Sequence, residues 1–121
     1  MKNKAITYHK QGNSCSASIM KAAIDKGLCS KELYNATTGF AGGVGSGCLC
    51  GAVTASIMVL SNVVGEHQAK QTAKTFMRNF KERYNATCCR VLSANKVGED
   101  KRKHCNKIVE DCADILEEIL K

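Results

Sequence analysis

The chain has no proline and no tryptophan, and only 5% of its residues are aromatic. Without proline, long helices meet no obligatory break, and turns have to be made by glycine and asparagine. With so few rings, the core must be built from Ala, Ile, Leu, Val, Met and Cys. A stacking platform for single-stranded nucleic acid is also missing, so nucleic-acid binding is not expected. No segment alternates apolar and polar residues over strand length, so no sheet is expected either. Nothing is long enough to cross a bilayer. The most apolar stretch, Ala52–Val64, falls short of the ~20 residues a spanning helix needs and carries Thr54, Ser56, Ser61 and Asn62. The opening MKNKAITYHKQGNS contains no apolar core of a signal peptide, which points to a cytoplasmic protein.

What is present fits one domain over residues 1–121, with 44% hydrophobic residues to fill its core. The net charge is +7, from 18 Lys and Arg against 11 Asp and Glu. The basic residues are spread over the N-terminus, Lys70–Arg83 and Lys96–Lys107, and such a field suits an anionic partner or an anionic metal centre. Cysteine is the outlier, at positions 15, 29, 48, 50, 88, 89, 105 and 112. In a reducing compartment this many thiols read as metal ligands or reactive groups before disulfides, with some serving only as small buried hydrophobes.

Apolar spacing predicts an all-α bundle of four to five helices. A polar lead occupies residues 1–12. Asn13 or Ser14 caps a helix through Lys26, with Cys15, Ile19 and Ala22 or Ala23 inward and Gly27 as its stop. Ser30 opens a short helix to about Tyr34. A glycine-rich loop follows, with Gly39, Gly42, Gly43, Gly45 and Gly47 close together, where the backbone must approach something or take positive φ. No glycine pair there completes GxGxxG and no Walker lysine follows, so a nucleotide loop is disfavoured. Leu49–Val64 is predicted as a buried central helix, with Gly51 and Ala55, and Ala52 and Ser56, at a spacing that admits a close neighbour. It is apolar nearly all round, which suggests cover by a second copy in a homodimer. Glu66–Tyr84 is strongly amphipathic. Asn85–Gly98 is a connector, and Asp100–Leu120 is the last helix.

Helix geometry limits which cysteines act together. Cys105 and Cys112 share a face but lie about 10.5 Å apart along the axis, so one small centre does not easily use both. Cys48 and Cys50 would diverge on a regular helix, as would Cys88 and Cys89. A single four-thiolate site therefore draws on Cys15, Cys50, Cys88 or Cys89, and Cys105. Cys50 sits at a helix start, where free amides and the dipole should lower its thiol pKa below the ~8.5 of an unperturbed cysteine. Amides of the loop, at Gly43, Gly45 and Gly47, are candidate donors to its sulfur or to a bound cofactor. Arg90 would add positive charge. His9, His67 and His104 have no evident acid partner and carry no role as ligand or base.

The motifs Asn13-Ser14-Cys15, TGFAGGVGSG, Cys50-Gly51-Ala52-Val53-Thr54, Cys89-Arg90-Val91-Leu92 and Cys105 followed by VEDCADILEEIL resemble the C_GCAxxG_C_C family of redox-active proteins. The resemblance covers nearly the whole chain from Asn13 onward. It implies that Cys15, Cys50, Cys89 and Cys105 are the functional cysteines, so that Cys29, Cys48, Cys88 and Cys112 are additions. One departure is Ala55, where the family has glycine. The implied role is redox, near transport or oxidoreductase functions, with a redox protein as partner.

Three functions are weighed on these residues. The leading one is a 2Fe–2S-type iron–sulfur cluster on Cys15, Cys50, Cys89 and Cys105 that passes electrons. The second is metal-free thiol–disulfide exchange with Cys50 as nucleophile. The third is a structural protein holding zinc or only buried thiols. Zinc sites usually show CxxC knuckles, and none is present.

Overall fold

The computed structural model describes residues 1–92 and 98–120. Seven helices follow in order: α1 (Lys2–Lys10), α2 (Cys15–Asp25), α3 (Lys31–Thr37), α4 (Gly51–Val64), α5 (Glu66–Tyr84), the single turn α6 (Cys89–Leu92) and α7 (Gly98–Leu120). Among the described residues there is no strand, only one isolated antiparallel bridge between Leu49 and Cys88. The architecture is the all-α bundle expected from the apolar spacing.

Helix α4 is central and packs against α2, α5 and α7. Its small residues let it do so: Gly51, Ala52, Ala55 and Ser56 are all buried, together with Val53, Val59 and Leu60. The methyl of Ala55, where the family has glycine, is accommodated with no exposure. Neighbours within the chain thus cover much of the apolar circumference that suggested a dimer. Phe76 and Phe80 of α5 are fully buried, and Phe80 stacks on Tyr84 with ring centroids 4.9 Å apart. Burying each such ring is worth roughly 1.5–3 kcal/mol, so α5 supplies much of what the aromatic-poor core lacks elsewhere. Helix α7 contributes Ile108, Val109, Cys112, Ala113, Ile115 and Leu116.

The helix ends follow local chemistry. Ser14 caps α2 by accepting the Ala17 N–H at 3.2 Å. Asn85, in the left-handed region at φ 59°, ends α5 after Tyr84, as the pattern predicted.

The polar lead of residues 1–12 needs correction, because Lys2–Lys10 is a helix packed on α2 and α7. Its inward stripe is short. Ala5 and His9, one turn apart, are buried, and Met1 and Tyr8 pack beside the core. Five lysine and polar positions around that stripe hide it from a reading by hydropathy. The Lys2 N–H donates to Glu117 Oε1 at 3.1 Å, and Lys26 pairs with the other oxygen at 3.0 Å, tying α1, α2 and α7 together.

Candidate functional site

Cys15, Cys50, Cys89 and Cys105 come from four elements and line one cavity of about 350 Å³. Cys15 is the first residue of α2, directly after the Ser14 cap, and Cys105 lies in the first half of α7. Cys50 is the N-cap of α4, and Cys89 opens α6. The isolated bridge brings the last two together. Cys50 N–H donates to the Thr87 carbonyl at 2.9 Å, and Cys89 N–H donates to the Cys48 carbonyl. Of the two adjacent cysteines, Cys89 lines the cavity while Cys88 is exposed. The remaining wall is formed by Leu92, Ile108 and the backbones of Gly42 and Gly51, with His9, Lys101 and Arg102 as the charged or titratable groups. The side chain of Arg90, expected to add charge here, lies outside the described residues.

Cys15 and Cys105 are neighbours on the cavity wall and shift each other's thiol. Cys105 and burial push the Cys15 thiol up, while Cys15, Lys101 and Arg102 lower Cys105 to about 6. Cys105 is the more acidic thiol of the pair. Cys50 differs from expectation. The Val53 and Ala52 amides at the helix start pull its thiol down, yet it is raised because burial outweighs them. It is 5% exposed, and taking a thiolate out of water costs more than two amides return.

The glycine loop packs beside the cavity. Gly42, Gly43, Gly45 and Gly47 all take positive φ, and so does Val44 at 60°. A side chain at Gly43 would meet Cys48 N at 2.6 Å and the Cys89 Cβ at 2.9 Å, so the loop is folded against the backbone that carries Cys89. Gly45 is exposed, with open space where a Cβ would stand, and Gly47 is half-buried. Gly43, Gly45 and Gly47 do not appear on the cavity wall, where Gly42 and Gly51 do.

Of the other cysteines, Cys48 is exposed and Cys29 is half-buried with its thiol raised by burial. Cys112 is wholly buried near Ser56, and its thiol is raised well above the ordinary value by burial. His104 packs edge-on to Tyr84. His9 was missed as a site residue: it is 2% exposed, and its Nε2 lies 3.7 Å from Cys15 Sγ. Its partners are remote in sequence, and only the helical spacing of Ala5 and His9 hinted that it turns inward.

Among the described residues, no three His, Cys, Asp or Glu side chains stand close enough to hold one metal ion. Nor is any described helix long and apolar enough to cross a membrane.

Residues 13–119 match the model of the family described as "Putative redox-active protein (C_GCAxxG_C_C)". The chain belongs to that family. The four cysteines that the resemblance implied, Cys15, Cys50, Cys89 and Cys105, all stand on the cavity wall. No curated protein and no solved structure matches the chain.

Proposed function

We propose that the four cysteines hold a 2Fe–2S-type cluster and that the protein passes electrons to or from a partner redox protein or oxidoreductase. The observation that carries this reading is the convergence of Cys15, Cys50, Cys89 and Cys105 on one cavity. Their arrangement in pairs supports it further. A four-thiolate 2Fe–2S centre takes two sulfurs per iron, so it needs two pairs across a small cavity and not three ligands around one point. Cys15 and Cys105 form one neighbouring pair on the wall, and Cys50 and Cys89 stand on neighbouring segments joined by the bridge.

The bound cluster would supply a one-electron couple. The chain's own groups favour its anionic form: Lys101 and Arg102 on the wall, and the Ala52 and Val53 amides at the Cys50 sulfur. Leu92, Ile108 and the close glycine backbones limit water at the sulfurs.

Anaerobic purification, or reconstitution with iron and sulfide, tests the reading. A brown protein with about two irons and two sulfides per chain is expected. Cys15→Ser, Cys50→Ser, Cys89→Ser or Cys105→Ser should each bleach it, whereas Cys88→Ser should not. A colourless chain that takes up no iron under these conditions overturns the proposal.

The Cys15–Cys105 pair favours a second reading, metal-free thiol–disulfide exchange. The more acidic thiol there is Cys105, in place of the expected Cys50. Its sulfur would attack a partner disulfide and release one partner thiolate. Cys15 would then lose its proton and attack Cys105, releasing the second partner thiol and leaving a Cys15–Cys105 disulfide. Mass spectrometry of the chain after exposure to an oxidised dithiol would show that bond, and its absence would remove this reading.

A further inference from the structure

We propose that His9 is a positioning residue of this site, hydrogen-bonded to the Cys15 sulfur and oriented by Asn106. The inference goes beyond the family assignment, because residues 1–12 precede the matched segment 13–119. It deepens the cluster reading and rests on it for one of its two measurements only.

A buried histidine is usually a satisfied core group, and three contacts set this one apart. Its Nδ1 is bonded to Asn106 Oδ1. Its backbone carbonyl accepts from Arg102 Nη2. Its remaining nitrogen, Nε2, ends on Cys15 Sγ at 3.7 Å, within hydrogen-bond range for sulfur. Asn106 directly follows Cys105, and Arg102 stands one turn before it. One stretch of α7 therefore supplies a cavity thiol, an anchor for the His9 main chain and an orienter for its ring. The ring in turn reaches across to the cysteine of α2. The last nitrogen of a core histidine would be expected on a carbonyl or in water, and here it is spent on a cavity sulfur.

The arrangement has the form of an oriented imidazole beside a functional sulfur, in which the partner of the far nitrogen fixes the tautomer. With Nδ1–H donating to Asn106 Oδ1, Nε2 offers a lone pair to the Cys15 S–H. If Cys15 serves as a ligand its proton is gone, and the bond then requires an N–H at Nε2. Asn106 suits that form as well, because a side-chain amide carries a donor and an acceptor on one planar group, and turning it lets Nδ1 accept. The ring need not move. An N–H donated to a ligand sulfur raises the potential of the centre it serves.

The test uses His9→Phe, which keeps the ring and removes both nitrogens, His9→Gln, which restores one polar group near Nε2, and Asn106→Leu, which removes the orienter. In the metal-free chain, the initial rate of Cys15 alkylation by iodoacetamide is read by peptide mapping, with exposed Cys48 as internal reference. His9→Phe and Asn106→Leu should slow Cys15 several-fold and leave Cys48 unchanged, and His9→Gln should recover part of the loss. In reconstituted protein, His9→Phe should lower the reduction potential at unchanged iron content. Wild-type protein that takes up no iron would defeat the cluster reading and leave the alkylation result to decide this inference. Unchanged Cys15 alkylation in both His9→Phe and Asn106→Leu would overturn the inference, as would an unchanged potential in an iron-loaded variant. If His9→Phe fails to fold, the Asn106→Leu and His9→Gln rates decide alone.

Discussion

Cys105 and Cys112 stand on one stripe of α7, about 10.5 Å apart along the axis, and share almost nothing else. Cys112 is sealed in the core against Ser56, with a thiol raised by burial. Cys105 is half-buried, beside Cys15 on the cavity wall and flanked by Lys101 and Arg102, with its thiol lowered to about 6. The sequence around each sulfur decides the difference. Downstream, α7 buries Val109, Cys112, Ile115 and Leu116, while upstream it presents Lys101, Arg102 and Cys105 to a cavity. One helix thus divides into a turn that holds the fold and a turn that holds the chemistry.

The largest effect separating these halves should be on stability. Leu116→Ala in the sealed half should cost about 2–5 kcal/mol in urea denaturation of the metal-free chain. Cys105→Ala should cost under ~1 kcal/mol there, because its side chain is already half exposed. Equal losses would mean that α7 is not divided in this way. Next in size is Gly51→Ala at the cavity wall. An added Cβ would stand 2.8 Å from the Phe40 carbonyl oxygen, a backbone atom that cannot swing aside. A loss of about 1–3 kcal/mol is expected, as for overpacking a tight site. No loss in the same melts would show that the wall yields.

The pH dependence sharpens the contrast without disturbing the fold. Alkylation follows the thiolate fraction, so the Cys105 rate should rise through pH about 6 and level off above it, while Cys112 stays inert. The linkage has a definite sign. A thiol lowered on folding binds its proton less well in the native state, so metal-free stability should rise with pH from about 6 toward the ordinary thiol range, and this gain is lost as pH falls through 6. A Cys105 rate that begins to rise only near the ordinary thiol pKa would contradict the assignment of the thiolate. The smallest effect should come from the exposed thiol next to the site. Cys88→Ser is expected to shift stability by no more than ~0.5 kcal/mol, measured in the same melts.

Much of this was legible from residue order alone, for identifiable reasons. The span Glu66–Tyr84 is strongly amphipathic and bounded by Gly65 and Asn85, so pattern and termini agree. The incompatibility of Cys105 with Cys112 followed from helix rise alone. Cys89 could not be told from Cys88 by spacing, because a single-residue bridge fixes which of them turns inward and such a bridge leaves no periodic trace. The Cys50 thiol was expected to be lowered and is raised. The helix-start amides are a local property and were foreseen, but the burial that overrides them is contributed by remote segments. Helix α1 was read only as a polar lead because its inward stripe amounts to Ala5 and His9. The partner that gives His9 meaning, Asn106, lies near the other end of the chain.

Helix α1 also packs on both α2 and α7, the two elements that carry Cys15 and Cys105. In thermodynamic terms it fixes the effective concentration of one sulfur as felt by the other. Two thiols on separately moving helices would have to find each other at the entropic cost of a flexible loop, whereas two thiols held by a common clasp meet at a local concentration far above any in solution. Whatever joins those sulfurs, an iron shared between them or a direct bond, begins with that cost already met by folding.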